Sequence, residues 1–541
     1  MRSDYDVVVV GGAFAGSSSA LLLLRDNPSL RVAVVESKAV FDRKVGESAI
    51  ELSSWFLTRV LGLDRHLAVD QLPKYGLRFW FSGRSVRTLA EASELGNKYQ
   101  TRVPSFHIDR ALLDEHVQSL AVASGAELLR PARVTEASLS EGGRSILQVE
   151  TGAGRRELSA RWIVDATGRR AWLARRMGLH EPIAEHPTSS VWARYTGTAD
   201  FDGPWLPGRE QNKGAAVVSR GMSTNHLTGL GWWLWVIPLP GGDVSVGVVW
   251  DQRLFDLPPG KSAGERFEAF LASVPACAEL MKDAVRRDGD LHVLHDLPYR
   301  VGRLMGDGWA MVGDAAGFID PFYSPGLDWA SLTVSRATAV IGASLGGRLE
   351  GSPLQAAVAR HNRDFTRSFR RWVDALYVDK YFYMGDAELM EVALRMEVAL
   401  YYFGIVTPVY RGPHEEAVPP FSPAISTPFY HVIRWVNRRL AGIAKARLAA
   451  GTWGRANAGR RVLLGGFKLG AGSLRWIPGV LARLALLELR SIPDRLSARA
   501  RGGRRRGDAP PATAPQGAAG AAVPHAEARR PDDPVIARKV S

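Results

Sequence analysis

Short apolar runs flank a glycine-rich segment at the start of the chain. Asp6–Val10 and Val32–Val35 are β-branched runs, a pattern that predicts two buried strands. Between them, Gly11-Gly12-Ala13-Phe14-Ala15-Gly16 precedes Ser17–Arg25, whose apolar residues favour a helix. A strand, a glycine-rich turn, a helix and a second strand predict a βαβ unit with two parallel strands.

Patterns farther along the chain change from mixed to β-rich and then to helical. Ala111–Ser124 predicts a helix, and residues 186–300 are patterned mainly as strands. Trp232–Leu239 and Val244–Trp250 flank Pro-Gly-Gly-Asp, and these turn residues predict a hairpin. From Ser331 to about Tyr402 the apolar spacing becomes helical.

Composition changes twice in the last quarter of the chain. A basic amphipathic stretch runs from Phe429 to about Ala500, and the residues after it are mostly Ala, Pro, Gly and Arg. Such a segment has too little apolar surface to pack, so we predict a disordered tail. The predicted regions are 1–340, with a β-rich part interleaved at about 70–110 and 186–300, a helical region at 341–500, and a disordered basic tail at 501–541.

Composition also limits the class of protein. At 541 residues the chain exceeds the size of a single core, and 46% hydrophobic with 23% charged residues is typical of soluble globular proteins. Its one cysteine, Cys277, excludes a disulfide framework and a four-cysteine metal site, and we predict an inert buried thiol and no metal centre. The N-terminus shows no secretory signal, and no apolar run reaches the ~18 residues of a spanning helix. We therefore expect a reducing, cytoplasmic setting.

The net charge of +14 would fit a nucleic-acid-binding protein. Much of the basic excess, however, follows residue 430 or so and includes Arg504–Arg506, and no nucleic-acid-binding motif accompanies it. We therefore predict no nucleic-acid partner. A basic C-terminal surface that makes peripheral contact with a membrane or an acidic partner is the better interpretation.

The glycine-rich segment has the spacing of a dinucleotide-binding turn. Gly11 permits the tight turn, Gly16 permits close packing of helix on strand, and the helix N-terminus offers amides to a pyrophosphate. Ala13 occupies the middle position, which is normally glycine. Glu36 follows Gly16 by twenty residues, where its carboxylate can accept both ribose hydroxyls and would repel a 2′-phosphate. This pattern predicts a dinucleotide site and leaves NAD and FAD open.

Two later segments favour FAD. Trp309–Gly317 resembles the second flavin motif of the glutathione-reductase-type FAD enzymes, which implies that Asp314 holds the ribityl chain and that Gly317 belongs to the cofactor site. Asp165-Ala166-Thr167-Gly168-Arg169 resembles another element of that group. The resemblance implies an α/β fold: a Rossmann-like FAD-binding domain of glutathione-reductase type, an interleaved β-rich substrate domain and a mainly helical C-terminal region.

Further segments, within about residues 5 to 400, resemble the flavin-dependent halogenases. Trp233-Leu234-Trp235-Val236-Ile237-Pro238 matches their WxWxIP signature, and Phe318–Gly326 matches FxxPxxSxG. Val45-Gly46-Glu47-Ser48 follows the second strand, and Lys74 lies in Pro-Lys-Tyr-Gly, near the place of their catalytic lysine. These enzymes belong to a wider superfamily of FAD-dependent aromatic monooxygenases and geranylgeranyl-reductase-like proteins.

The resemblance implies a chemistry and a set of site residues. In that family, reduced flavin from a separate NAD(P)H-dependent flavin reductase, together with oxygen, oxidises chloride or bromide to hypohalous acid. The acid then travels to a lysine beside the substrate. The implied roles are catalysis for Lys74, cofactor contact for Glu47 and Ser48, a wall between flavin and substrate for Trp233 and Trp235, and proximity to halide and flavin for Pro321, Ser324 and Gly326. Because Tyr323, rather than an acidic residue, precedes Ser324, the implied substrate is phenolic, pyrrolic or carrier-bound.

One departure keeps other functions open. Pro325 stands where the family usually has Ser or Thr, and it has no N–H to offer to a halide. Pro325 therefore favours a flavin-dependent hydroxylase or a reductase without a halide step, whereas WxWxIP and Lys74 favour a halogenase. A non-catalytic flavin-binding interaction protein is the third hypothesis.

Overall fold

The computed structural model describes residues 2–99, 103–206, 218–465 and 469–498, so the predicted tail at 501–541 lies outside the described residues. The strands are β1 (Arg2–Val10), β2 (Val32–Val35), β3 (Leu72–Pro73), β4 (Leu77–Phe81), β5 (Ser93–Asn97), β6 (Phe106–His107), β7 (Glu127–Leu129), β8 (Ala132–Ser138), β9 (Ser145–Thr151) and β10 (Gly154–Asp165). They continue as β11 (His180–Pro182), β12 (Thr188–Thr196), β13 (Thr224–Gly229), β14 (Trp232–Pro238), β15 (Val244–Asp251), β16 (Val285–Leu294), β17 (Tyr299–Val301), β18 (Met305–Gly306), β19 (Trp309–Met311), β20 (Gly317–Phe318) and β21 (Arg461–Leu464).

The α-helices are α1 (Phe14–Asp26), α2 (Glu51–Trp55), α3 (Asp64–Asp70), α4 (Arg110–Ala123), α5 (Trp172–Arg176), α6 (Ala263–Ser273), α7 (Pro275–Leu280), α8 (Pro325–Leu345), α9 (Gly351–Trp372), α10 (Ala387–Tyr401), α11 (Thr407–Arg411), α12 (Thr427–Ala450) and α13 (Ile477–Arg490). Helices and sheets together confirm the predicted α/β class. Within the described residues, no helix is both long and apolar enough to cross a membrane.

The first sheet contains the predicted βαβ unit. Its strand order is β18-β19-β10-β1-β2-β7, and all pairs from β19 to β7 are parallel. Val7–Val9 and Val32–Val35 are buried, as expected for strands of a parallel sheet covered on both faces. Helix α1 packs against α4 and α8. The prediction of two parallel strands joined by a helix is therefore confirmed, with the bounds of β2 as predicted.

The second sheet is mainly antiparallel, in the order β16-β12-β15-β14-β13-β4-β5-β21. The predicted hairpin is confirmed as β14 and β15, and its turn has Gly241 and Gly242 at positive φ. Side chains alternate along β14, because Trp233 and Trp235 join the main core while Leu234 joins a separate core on the other face. Both indoles therefore belong to the same core as the residues of the first sheet.

Within the described residues after Pro325, helices dominate and one strand interrupts them. The predicted amphipathic stretch becomes α12 and α13, with β21 between them, and β21 pairs parallel with β5. A segment as short as Arg461–Leu464, with three apolar residues after an arginine, fits a helix or a strand equally, so its pattern did not separate it from the helices. Pairing with a distant edge strand decides its conformation.

Candidate functional site

The glycine-rich turn after β1 allows two strand ends to approach closely. Gly11 has a φ of +101°, and a Cβ there would lie 2.4 Å from the carbonyl oxygen of Ala166. A Cβ at Gly16 would lie 1.8 Å from the carbonyl oxygen of Gly11. Both positions therefore require glycine, and the turn lies against Ala166-Thr167 at the carboxyl end of β10. Ligands of parallel α/β sheets bind at this edge.

A first cavity of about 520 Å³ opens at this edge. The predicted site residues that line it are Gly11, Ala13, Glu36, Glu47, Ser48, Trp233, Trp235, Asp314, Gly317, Pro321, Ser324 and Gly326. Gly16 packs beneath the turn, and Lys74 lines a second cavity. The structure therefore brings together residues from five separate sequence segments.

Two carboxyl groups in the first cavity suit the polar parts of a dinucleotide. Glu36 follows β2, and its Oε2 accepts the Gly12 N–H at 2.7 Å while its Oε1 accepts the Lys38 N–H at 2.8 Å. Asp314 lies in a short 3₁₀ turn, Gly313–Ala316, and burial raises the pKa of its carboxyl group. With the glycine turn and the amides that begin α1, this donor and acceptor set fits FAD.

Glu47 has an internal partner that the sequence did not reveal. Arg194 of β12 donates from Nη2 at 2.7 Å and from Nε at 3.1 Å to Glu47 Oε1, and both side chains are buried. Arg194 also donates to Asp290. A buried charge of this kind is stable only with its partners in place, so the pair fixes the 45–48 segment against the second sheet.

The two tryptophans of β14 are held by hydrogen bonds at their indole nitrogens. Trp233 Nε1 donates to the Tyr381 hydroxyl at 2.9 Å, and Trp235 Nε1 donates to Ser245 Oγ at 3.1 Å. Tyr381 in turn donates to Asp320 Oδ2 at 2.8 Å, which ties β14 to the 318–326 segment. Both indoles face the first cavity and do not line the second.

The segment before α8 has a strained, left-handed backbone. Tyr323 and Ser324 have φ values of +72° and +57°, and α8 begins directly afterwards at Pro325. Proline is favoured at the first helical position, where its missing N–H would have no helical acceptor in any case. The amides of Gly326 and Leu327 belong to the same helical turn and likewise have no acceptor within the helix. An anion could therefore still be bound at this helix N-terminus despite Pro325.

A second cavity of about 1080 Å³ lies on the other side of this segment. Pro325 lines both cavities, and Lys74 lines the second. Lys74 Nζ donates to Ser48 Oγ at 2.7 Å and to the Ala49 carbonyl at 3.1 Å. Because Ser48 lines the first cavity, this hydrogen bond joins the walls of the two cavities.

Burial sets the protonation of the groups around Lys74. Burial lowers the pKa of Lys74 to about 8. The carboxylates of Glu51 and Asp328 act in the opposite direction, because they favour the ammonium form. Burial also lowers the pKa of His226 to about 3 and that of His107 well below its usual value, so both imidazoles are neutral near pH 7. Lys74 is thus a buried amine that can change protonation close to neutral pH.

Comparison with known proteins matches this arrangement to one family. A family model described as tryptophan halogenase matches residues 6–89 and 82–384. The chain belongs to the tryptophan halogenase family. The predicted resemblance to flavin-dependent halogenases is confirmed, and the family's cofactor, FAD, agrees with the donors and acceptors of the first cavity.

Relatives of the tryptophan halogenase family extend over most of the chain. A flavin-dependent halogenase of Dictyostelium discoideum is 26% identical over 81% of this chain and 76% of its own length. A 1H-pyrrole-2-carbonyl-(peptidyl-carrier protein) chlorinase of Pseudomonas fluorescens is 26% identical over 60% of this chain and 72% of its own length. Among solved structures, halogenase PltM in complex with phloroglucinol and FAD is similar in fold, with a TM-score of 0.67, 19% identity, and coverage of 84% of this chain and 97% of PltM.

Proposed function

We propose that the protein halogenates an electron-rich aromatic compound, a phenol, a pyrrole or a carrier-bound ring, with reduced FAD, oxygen and chloride or bromide. The observation that carries this proposal is Lys74, a buried lysine whose hydrogen bond to Ser48 joins the walls of two adjacent cavities. The family match and the relatives that chlorinate a carrier-bound pyrrole or bind phloroglucinol support it.

The first cavity would hold the cofactor. In this proposal the first sheet belongs to a Rossmann-like FAD-binding domain of glutathione-reductase type within residues 1–340, with the second sheet as substrate domain and 341–500 as helical region. Amides at the start of α1 bind the pyrophosphate, Glu36 accepts the ribose hydroxyls, and Asp314 holds the ribityl chain. When bound, FAD that a separate NAD(P)H-dependent flavin reductase has reduced would enable oxygen to oxidise the halide.

Residues between the cavities would direct the oxidised halogen. The amides of Gly326 and Leu327 bind halide at the α8 N-terminus, next to Ser324, and Trp233 and Trp235 shield the first cavity from substrate. Lys74 uses two N–H groups internally, and its third can donate to the oxygen of hypohalous acid. A carbon–halogen bond then forms from the ring electrons as the oxygen–halogen bond breaks. Hydroxide and the ring proton leave as water.

The proposed reaction requires halide-dependent products. FAD-loaded protein, supplied with reduced flavin, oxygen and a panel of phenol, pyrrole and phloroglucinol, is expected to give monobrominated product only when bromide is present. Mass spectrometry of the product provides the measurement, and the same mixture without bromide is the control. An oxygenated product formed without bromide would instead support the hydroxylase alternative that Pro325 favours.

We also propose that the C-terminal region contacts an anionic membrane surface. One face of α13 and the residues after it carries exposed apolar side chains: Leu481, Leu486, Leu489, Ile492 and Leu496. Leu489 is 64% exposed and Leu496 is 60% exposed. The sequence then continues with five arginines and no acidic residue at 499–506. An apolar face followed in the sequence by a basic run supplies the two signals that stable membrane attachment needs.

Vesicle binding tests this surface. The protein is expected to sediment with phosphatidylserine-containing vesicles and not with phosphatidylcholine vesicles, and Leu489→Glu should weaken binding. Removing residues 501–541 should reduce binding while flavin content and melting temperature stay nearly unchanged. Absence of binding to anionic vesicles would reject the membrane surface and favour an acidic protein partner.

A further inference from the structure

The second cavity is about twice the size of the first, 1080 Å³ against 520 Å³. Its walls are mainly apolar and aromatic, and include Trp372, Leu376, Leu394, Leu400, Phe429 and Ile433. Three π-helical turns of the described chain border it, at Phe56–Val60, Val373–Tyr377 and Tyr402–Val406. Such turns occur frequently at functional sites. A cavity of this size and lining suits a hydrophobic molecule of several rings or with an alkyl chain.

One carboxylate at this cavity is already fully used inside the protein. Glu397 accepts from Lys380 Nζ at 2.8 Å through both oxygens. The Tyr323 hydroxyl and Asn437 Nδ2 also donate to it, at 2.7 Å and 2.8 Å. This buried network holds the strained turn before α8 and offers little to a ligand.

Glu51 is different, because its carboxylate faces the cavity with one oxygen still available. It is the first residue of α2, and its Oε1 accepts from the Tyr402 hydroxyl at 2.5 Å. Among the described residues, no ion pair and no second side-chain donor reaches this carboxylate. The charge of Glu51 also favours the ammonium form of Lys74, which lines the same cavity. The cavity therefore contains a hydrogen-bond acceptor near the lysine.

We infer that Glu51 accepts a hydrogen bond from a ring hydroxyl or ring N–H of the substrate and so determines which ring carbon faces Lys74. This inference rests on the proposed function for the role of Lys74. It names the substrate class as a hydrophobic phenol or N–H heteroaromatic without a carboxylate, because Glu51 would repel a second negative charge. Electron donation from the ring oxygen or nitrogen then activates the carbons nearest the lysine.

Equilibrium binding of simple probes tests Glu51 without turnover. FAD-loaded protein is titrated with para-hexylphenol and with its methyl ether, which has the same shape but no donor. The wild-type protein is expected to bind the phenol about 10-fold or more tightly than the ether, because only the phenol donates a hydrogen bond to the charged acceptor. In Glu51→Ala the two affinities should become equal through loss of phenol affinity alone.

Other variants and probes separate the possible outcomes. Glu51→Gln keeps the shape of the side chain and should leave a phenol preference of only a few-fold, whereas Glu91→Ala, an exposed glutamate, should leave the wild-type ratio. Para-hexylbenzoate should bind more weakly than the ether. Equal wild-type affinity for phenol and ether, or an unchanged ratio in Glu51→Ala and Glu51→Gln, would overturn the inference. A high ratio without bromination would contradict the proposed function and leave the Glu51 site standing.

Discussion

Lys74→Ala is expected to abolish brominated product while FAD binding stays at the wild-type level. Lys74 Nζ donates to Ser48 Oγ at 2.7 Å on the wall of the second cavity, whereas the proposed FAD contacts lie in the first cavity. Without the ammonium group, hypohalous acid has no donor to hold it beside the ring. We expect a loss of at least about 100-fold in product formation, the lower range for a positioned catalytic group. Product yield and FAD fluorescence provide the measurements.

Two further variants sharpen this test. Lys74→Arg should fail as well, because a guanidinium is larger and planar and cannot repeat the contacts of Nζ with Ser48 Oγ and the Ala49 carbonyl that direct the remaining N–H. Lys261→Ala removes an exposed lysine and should leave turnover unchanged. Product formation by Lys74→Ala near the wild-type rate would contradict a lysine-assisted halogen transfer.

The pH dependence distinguishes the two forms in which Lys74 could act. Burial lowers its pKa to about 8, so the ammonium form predominates below pH 8 and is lost above it. If the ammonium donates to hypohalous acid, turnover should be flat below pH 8 and then fall about tenfold per pH unit. A rise in turnover through pH 8 would instead identify the neutral amine, which can form a nitrogen–halogen bond. The same profile measured with bromide and chloride controls for the halide.

Local patterns allowed the βαβ unit of the first sheet and the hairpin of the second sheet to be predicted from the sequence. Gly16 is required by its contact with Gly11 inside one short βαβ unit, and Gly241 and Gly242 lie in a two-strand turn, so the contacts that favour glycine there join residues close together in the sequence. The parallel pairing of β21 with β5 joins residues more than 350 positions apart. No local pattern indicates that pairing, and the helical spacing of the residues around β21 predicted a helix there instead.

The candidate site residues also divide into those that belong to local motifs and those placed by contacts between distant parts of the chain. The motif residues could be selected from the sequence because each motif is a short local spacing. Most of them line the first cavity. Arg194, Glu51 and Tyr381 belong to no motif and act through contacts across the fold. The tryptophan wall also remains a prediction, since the structure places Pro325, rather than Trp233 or Trp235, on both cavities. Which side chain lies between two cavities depends on tertiary packing, which periodicity does not record.

Glu36→Arg is expected to weaken FAD binding by at least about 10-fold. The buried carboxylate lies at the end of β2 in the first cavity, where it can accept ribose hydroxyls, and hydrogen bonds to charged groups stabilise by about 1.5–3 kcal/mol each. Arginine removes these acceptors, faces the Gly12 N–H that Glu36 now binds, and fills the adenosine end of the cavity. Glu36→Gln keeps one acceptor and should lose less. Glu150→Arg makes the same change at an exposed position of strand β9 and should leave FAD affinity unchanged. Affinity is measured by quenching of FAD fluorescence, with the melting temperature of each apoprotein to confirm folding. If folded Glu36→Arg bound FAD as tightly as the wild-type protein, Glu36 would have no part in the cofactor site, and the adenosine end would have to lie elsewhere in the cavity.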